Sequence, residues 1–357
     1  MMRHVLIVMC VAMLAGCGGE RRPALVSRAD ELKHTVVMPH LDYPIKPGTN
    51  VLWCATMQVA WNELCAMAGE DIHMQNEDPM VGKLNKKTVS AADLNAGTYL
   101  ATAGIVSKSA TDTIRKELTK KFGDAASPQL LELIEGGGFD DMPFAYAYLI
   151  AELPFEWPFA HLKNPIRFEG TKVQCFGIDA SWDAENAEKV AEQVLVYDYQ
   201  NTDDFIVELK TKLAGHRLFL AKVSAEPTLK ETIETVQKRV AKSAPNSFRR
   251  HSRLDVPVLD FDIVREYTEL TGRPLTVRDP RLAGLPLEIA AQEVRFRLDE
   301  RGAILKSEGV IALSETPKEP YWLVFDKPFL VMIQCGEGNW PYFALWVDNP
   351  EVLVPFR

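Results

Sequence analysis

The chain has 357 residues, 47% of them hydrophobic and 25% charged, and a formal net charge of −9. Those proportions belong to a globular chain, and the length allows one large domain or two ordinary ones. The acidic balance argues against nucleic acid or an anionic membrane face as the main partner.

The N-terminus carries the first strong signal. Met1-Met2-Arg3-His4 is a short basic start, followed by the apolar run 5–14 and then Leu14-Ala15-Gly16-Cys17. The run is shorter than the roughly 20 residues a bilayer-spanning helix needs. It suits the apolar core of a signal peptide. Leu-Ala-Gly-Cys is the pattern that lipoprotein signal peptidases cleave, so residues 1–16 are expected to be removed and Cys17 lipidated. Residues 18–23 (GGERRP) read as a flexible polar tether, and the linker is expected to span 17–44, ahead of one domain over 45–357. No aspartate follows Cys17, which points to the outer rather than the inner membrane of a cell envelope. No second apolar stretch approaches spanning length, so the lipid is the expected anchor.

Residues 50–69 (NVLWCATMQVAWNELCAMAG) begin extended and continue as a buried helix ending at Gly69. Residues 70–95 are polar and loop-like, with room for a short helix, and 98–106 form a strand. Over 111–122, Ile114, Leu118 and Phe122 share one helical face, with Gly123 as the stop. A short helix over 127–135 and a glycine turn at 136–138 lead to 144–153 (FAYAYLIAEL), apolar throughout like a central strand covered on both faces. Strands follow near 166–178, 193–199, 205–209 and 217–223. Thr228 and Glu231 form a capping box for a helix whose inward residues are Leu229, Ile233, Val236 and Val240. A strand over 254–264 is expected to run into a helix near 265–271. In 293–298, Val294, Phe296 and Leu298 alternate with Glu293, Arg295 and Arg297, the pattern of a half-buried strand. Apolar strands over 325–334 and 341–347 close the chain, joined by turn residues at 336–339. The whole is an α+β chain with several sheets and no βαβ repeat.

Chemistry-bearing motifs are sparse. Cys10 leaves with the signal, and Cys54, Cys65, Cys175 and Cys335 follow neither a small-domain disulfide framework nor a zinc pattern. Buried thiols are the favoured reading, with one disulfide among the four left open. Cys54 and Cys65, read as one helical stretch, lie too far apart to bridge. The seven histidines are scattered. With no acid/base pair, activated nucleophile, phosphate loop or metal cluster, neither an enzyme nor a cofactor is expected.

Five segments, in order, resemble the serpin family. Phe325-Asp326-Lys327-Pro328-Phe329-Leu330-Val331-Met332-Ile333 is similar to its F-x-[KR]-P-F-x-F-x-I strand. Residues 341–350 (PYFALWVDNP) are similar to its P-L-F-x-G-x-V-x-N-P ending. Upstream, 294–302 (VRFRLDERG) resembles the strand-and-hinge run, 146–159 the central-strand motif, and 50–69 the approach to the first buried helix. The resemblance implies a serpin-like multi-sheet core with packed helices and a C-terminal β region. It also implies an exposed reactive loop that, once cleaved by a protease, inserts as a strand and traps the enzyme. Glu300 and Gly302 would form the hinge, Ala303 would begin the loop, and Thr316, Pro317 and Lys318 would surround the scissile position.

The departures are specific. Ala303-Ile304-Leu305-Lys306-Ser307-Glu308 replaces the family's run of small residues, and Leu305 falls on the face that would have to bury. Pro317 after Thr316 makes a poor bond for most serine proteases. The polar clasp of the main sheet is expected to be missing, with Cys54, Met57, Ala147 and Gln292 at its positions, and Phe155 stands for a tryptophan. Between Phe122 and Phe144 there is little room for the helix that crosses the main sheet. Two readings follow: a non-inhibitory binding or structural module, or a working inhibitor of extracytoplasmic serine or cysteine proteases. The partners are then a membrane through the Cys17 lipid and, in the second reading, a protease.

Cys17→Ser is expected to abolish acylation and membrane association while the domain still folds, because the tether separates lipid from core. Membrane fractionation checks this: full partitioning of the variant with membranes would sink the lipoprotein reading.

Overall fold

The computed structural model describes residues 26–123, 128–151, 153–178, 184–302, 319–336 and 338–356. In chain order its elements begin with β1 (Val26–Arg28), β2 (Thr35–Met38), β3 (Asn50–Cys54), α1 (Thr56–Ala68) and α2 (Pro79–Leu84). Next come β4 (Tyr99–Ile105), α3 (Lys108–Phe122), α4 (Gln129–Gly136), β5 (Pro143–Leu149), β6 (Ala160–His161) and β7 (Ile166–Phe168). The middle continues with β8 (Thr171–Val173), β9 (Cys175–Ile178), α5 (Ala184–Ala191), β10 (Val194–Asn201), β11 (Asp204–Leu209) and β12 (His216–Lys222). The last third holds α6 (Leu229–Lys242), β13 (Asn246–Ser247), β14 (Arg253–Pro257) and β15 (Leu259–Glu266). It closes with β16 (Ala291–Leu298), β17 (Trp322–Val324), β18 (Phe329–Cys335) and β19 (Pro341–Val347).

Local chemistry explains the helix ends. Thr228 Oγ1 accepts from Glu231 N at 3.2 Å while Thr228 N donates to Glu231 Oε2 at 3.1 Å, the expected reciprocal cap of α6. Gly69 ends α1 at φ +71°, where a Cβ would be strained. Ser107 caps α3 through Ala110 N, so this helix begins at Lys108, a turn earlier than its apolar face suggests. No helix among the described residues is long and apolar enough to cross a membrane.

The α+β class and the several sheets expected from the sequence are present. The largest sheet has eight strands in the order β13-β10-β11-β12-β18-β19-β3-β2. Its C-terminal hairpin β18–β19 sits at the centre, which is why Phe329, Leu330, Val331, Leu345 and Val347 are fully buried. A four-stranded sheet runs β17-β14-β9-β6, a three-stranded one β1-β15-β16, and β4–β5 and β7–β8 are two-stranded.

Four expectations fail, each for a tertiary reason. The linker does not extend to residue 44: β1 lies parallel to β15 and β2 parallel to β3. Thr35 and Val37 are buried, and Glu351 accepts hydrogen bonds from Lys33 N, His34 N and Thr35 Oγ1. The helix near 265–271 does not form. There Tyr267 N donates to Ala290 O, and Gly272 turns the chain back at φ +71°. The strand expected over 325–334 starts only at Phe329, because Pro328 has no N–H for a ladder. Cys54 belongs to β3 rather than to the helix that carries Cys65; both are buried, and all four described cysteines are free.

Phe343 is buried and stacks on Phe296 with ring centroids 4.3 Å apart, while Phe329 packs edge-on against Phe168 at 5.9 Å. Truncating Phe329 or Phe343 to alanine is expected to cost about 3–5 kcal/mol in urea unfolding. A loss under about 1 kcal/mol would contradict this packing.

Candidate functional site

The site is built from two strand edges. β5 pairs on one side with β4, and β16 pairs on one side with β15. Among the described residues neither has a ladder partner on its other side. The two strands instead line one cleft of about 520 Å³, floored by Met57 and Trp61 of α1 and by Phe343 of β19. α1 lies against β4, β5 and β16, so it carries both half-sheets across the gap. The sequence predicted a central strand at 144–153. The strand is shorter and sits at an edge, with Ala145, Ala147 and Leu149 only half-buried.

The two strands run the same way and meet at one end. Phe155 N donates to Arg301 O at 3.3 Å and Phe159 N to Glu300 O at 2.8 Å, joining the chain after β5 to the chain after β16. Gly302 lies in this junction at φ +54°, where a Cβ would fall 2.4 Å from Phe155 N and 2.6 Å from Leu153 O. Only glycine fits there. Glu300 is buried and faces His161 Nδ1 at 3.4 Å. The two hinge residues Glu300 and Gly302 thus stand together at the end of the cleft. Cys17, Ala303, Thr316, Pro317 and Lys318 lie outside the described residues.

A polar clasp is present after all. Gln292 Nε2 donates to Cys54 O at 3.0 Å and to Thr56 Oγ1 at 2.7 Å, and Gln292 Oε1 accepts from Tyr267 OH at 2.7 Å. This ties β16 to the junction of β3 and α1. The expectation of a missing clasp weighed the side chains at Cys54 and Met57. The structure uses a main-chain carbonyl at one and bypasses the other for Thr56. Nothing local in the sequence marks Thr56 or Tyr267 for this role. Between Phe122 and Phe144 the described chain forms the short helix α4, two turns long, against β16.

The other face of β16 carries Glu293, Arg295 and Arg297, the two arginines opposite Asp262 and Asp260 of β15. Asp262 of β15 is buried, and its Oδ1 has no hydrogen-bond partner among the described residues. Burial raises its carboxyl above the usual range. Its neighbour Glu293 lines the cleft and is pushed up to about 7, first by burial and then by the Asp262 charge, with Arg295 opposing. Across the cleft, the buried Tyr146 hydroxyl of β5 also lacks a partner, and burial raises it. No group of three or more His, Cys, Asp or Glu among the described residues could hold a metal ion.

Gln292→Ala is expected to lower stability by about 1–3 kcal/mol, since it strands a buried tyrosine hydroxyl and a buried carbonyl. Urea unfolding beside Gln292→Glu checks the assignment. Equal stability of all three chains would remove the clasp.

No family model matches the chain, and no curated protein does. Among solved structures it is similar to Serpin48, described as a highly specific serpin in the insect Tenebrio molitor. The identity is 12%, with 85% of this chain and 92% of that chain covered, at a TM-score of 0.45.

Proposed function

We propose that the chain is a serpin-like envelope lipoprotein that acts by binding and not by trapping proteases. One observation carries this reading: β5 and β16 share no ladder bond among the described residues. A loop-inserting trap stores strain by keeping its sheet closed and its loop outside until cleavage. Here, among the described residues, β5 and β16 stand apart across a cleft of about 520 Å³, which does not fit a closed sheet held ready to open.

The geometry of departure supports this. The chain leaves β16 through Gly302 at the end of the cleft. Both edges carry backbone groups that need partners. The segment 303–318 is longer than β16 and alternates in character. In the sequence, Ala303, Leu305, Ser307, Gly309, Ile311 and Leu313 alternate with positions that include Lys306 and Glu308. Leu305 is an obstacle for a loop forced beneath closed neighbours. In a settled strand it is an ordinary core residue. Lipidation at Cys17 and the envelope location belong to the same reading and rest on the sequence.

A working inhibitor is the second reading. It is favoured by the built hinge, in which Glu300 is buried and Gly302 occupies a position no other residue fits. The two separate on a melting curve. Nicking within 310–320, with cleavage confirmed by mass, is expected to move the midpoint by less than about 5 °C. No denaturant-resistant complex should form with a panel of serine and cysteine proteases. A gain of tens of degrees, or a covalent complex, would move the assignment to an inhibitor.

A further inference from the structure

Resting on the reading that the chain acts by binding, we infer that the α4 side of the cleft takes a small apolar molecule carrying one uncharged hydroxyl, an alcohol or a phenol, held through the Tyr146 hydroxyl. Strand alternation divides the cleft in two. Phe144 and Tyr146 of β5 join Leu131 and Ile134 of α4 in a small core of their own. Ala145 and Ala147, between and beyond them, pack toward the other side, against the cores beneath. The backbone edges lie in the plane between the two sides, so a molecule on the α4 side does not draw on them.

This small core is not closed. Leu130, Ile134, Phe139, Phe144 and Tyr146 belong to it and also line the cleft, as does Glu293 of β16. Leu130 and Phe139 are only half-buried. The cleft of about 520 Å³ falls within the range of small-molecule sites, about 300–1,000 Å³. Tyr146 supplies an independent observation. It is 4% exposed and lines the cleft, and its hydroxyl has no hydrogen-bond partner among the described residues. A buried hydroxyl left alone is costly, and an oxygen placed beside it removes that cost.

Charge selects the class. Arg295 and Arg297 stand opposite Asp262 and Asp260, and Arg297 also donates to Asp299 at 2.7 Å. Arg115 of α3 pairs with Glu135 of α4 at 2.6 Å. These guanidinium groups have acids of their own, so a carboxylate or sulfonate entering here gains no dedicated cation. Glu293 lies in the cleft wall beside Arg295, and burial favours its neutral form, which makes it a poor counter-ion for an amine. Either ionic head would leave water without a full partner, which is costly. An uncharged hydroxyl accepts from Tyr146 and keeps its own proton for an acceptor. Its apolar body packs on Phe144 and Ile134.

Fluorescence titration of the full chain with 2-naphthol, beside naphthalene and 2-naphthoate, tests this near neutral pH. 2-Naphthol should bind saturably, about three- to tenfold more tightly than naphthalene, as one hydrogen bond predicts. 2-Naphthoate should bind most weakly. Tyr146→Phe should remove the preference for 2-naphthol over naphthalene. It should also leave the thermal midpoint equal or higher, because it deletes a stranded hydroxyl. A merely structural role for Tyr146 would leave that preference in place. Leu130→Trp, which fills the α4 side, should weaken all three probes while circular dichroism shows the chain still folded. Absence of saturation, equal affinity for 2-naphthol and naphthalene, or an unchanged preference in Tyr146→Phe overturns the inference. Unchanged affinities in a folded Leu130→Trp place the probe elsewhere and overturn it too, and tighter binding of 2-naphthoate overturns the uncharged class. The trapping question is decided separately, by the melting curve of the nicked chain.

Discussion

Backbone hydrogen bonding is the constraint on which the rest depends. Each strand of a sheet offers N–H and C=O groups on two sides, and groups left unpaired away from water are costly. β5 and β16 satisfy one side each, through β4 and β15. Their free sides line a cleft whose floor is made by α1 and the Phe296–Phe343 stack. An apolar floor below two unsatisfied edges is complementary to one thing in particular, an extended chain with alternating side chains.

The cleft keeps its form because its walls are fixed by groups outside it. α1 spans both half-sheets, Gln292 anchors β16 to the start of that helix, and Gly302 locks the end of β16 against the chain that follows β5. Beneath lies the eight-stranded sheet, close-packed and fully paired at its centre. One end of its interior strand β12 is pinned by Lys222, buried and bonded to Asp326 at 2.6 Å and to the carbonyls of Thr202 and Val324. Such a division, with a rigid layer carrying an under-paired one, concentrates adaptability in the layer with fewer internal bonds. Binding there costs little reorganisation elsewhere.

Electrostatics adds a second asymmetry. Several surface acids have a basic neighbour, as in the Arg28–Asp30 and Arg281–Asp279 pairs, and surface pairs of this kind contribute little. Asp262 and Glu293 are instead both raised above the usual carboxylate range, chiefly by burial.

Much of the local structure was legible in the sequence, because its causes are local. The Thr228–Glu231 box, the Gly69 stop, the one-faced pattern of α3 and the alternation of β16 are properties of a few consecutive residues, and each produced its element. Of the candidate site, Glu300 and Gly302 were picked out by their motif alone. Tertiary structure alone decided what depends on partners far along the chain. Residues 26–44 look like a tether until β15 and β3 give them ladders. A helix near 265–271 fits local propensity until Ala290 and Gln292 claim Tyr267. Gln292 reads as a lost clasp until the fold brings it to Cys54 and Thr56, more than 230 residues away. The open gap between β5 and β16 could not be read from either strand, since each has the composition of a paired one. Propensity and periodicity are encoded by neighbours, but pairing is encoded by the whole chain, and the candidate site consists of pairing that two strands lack.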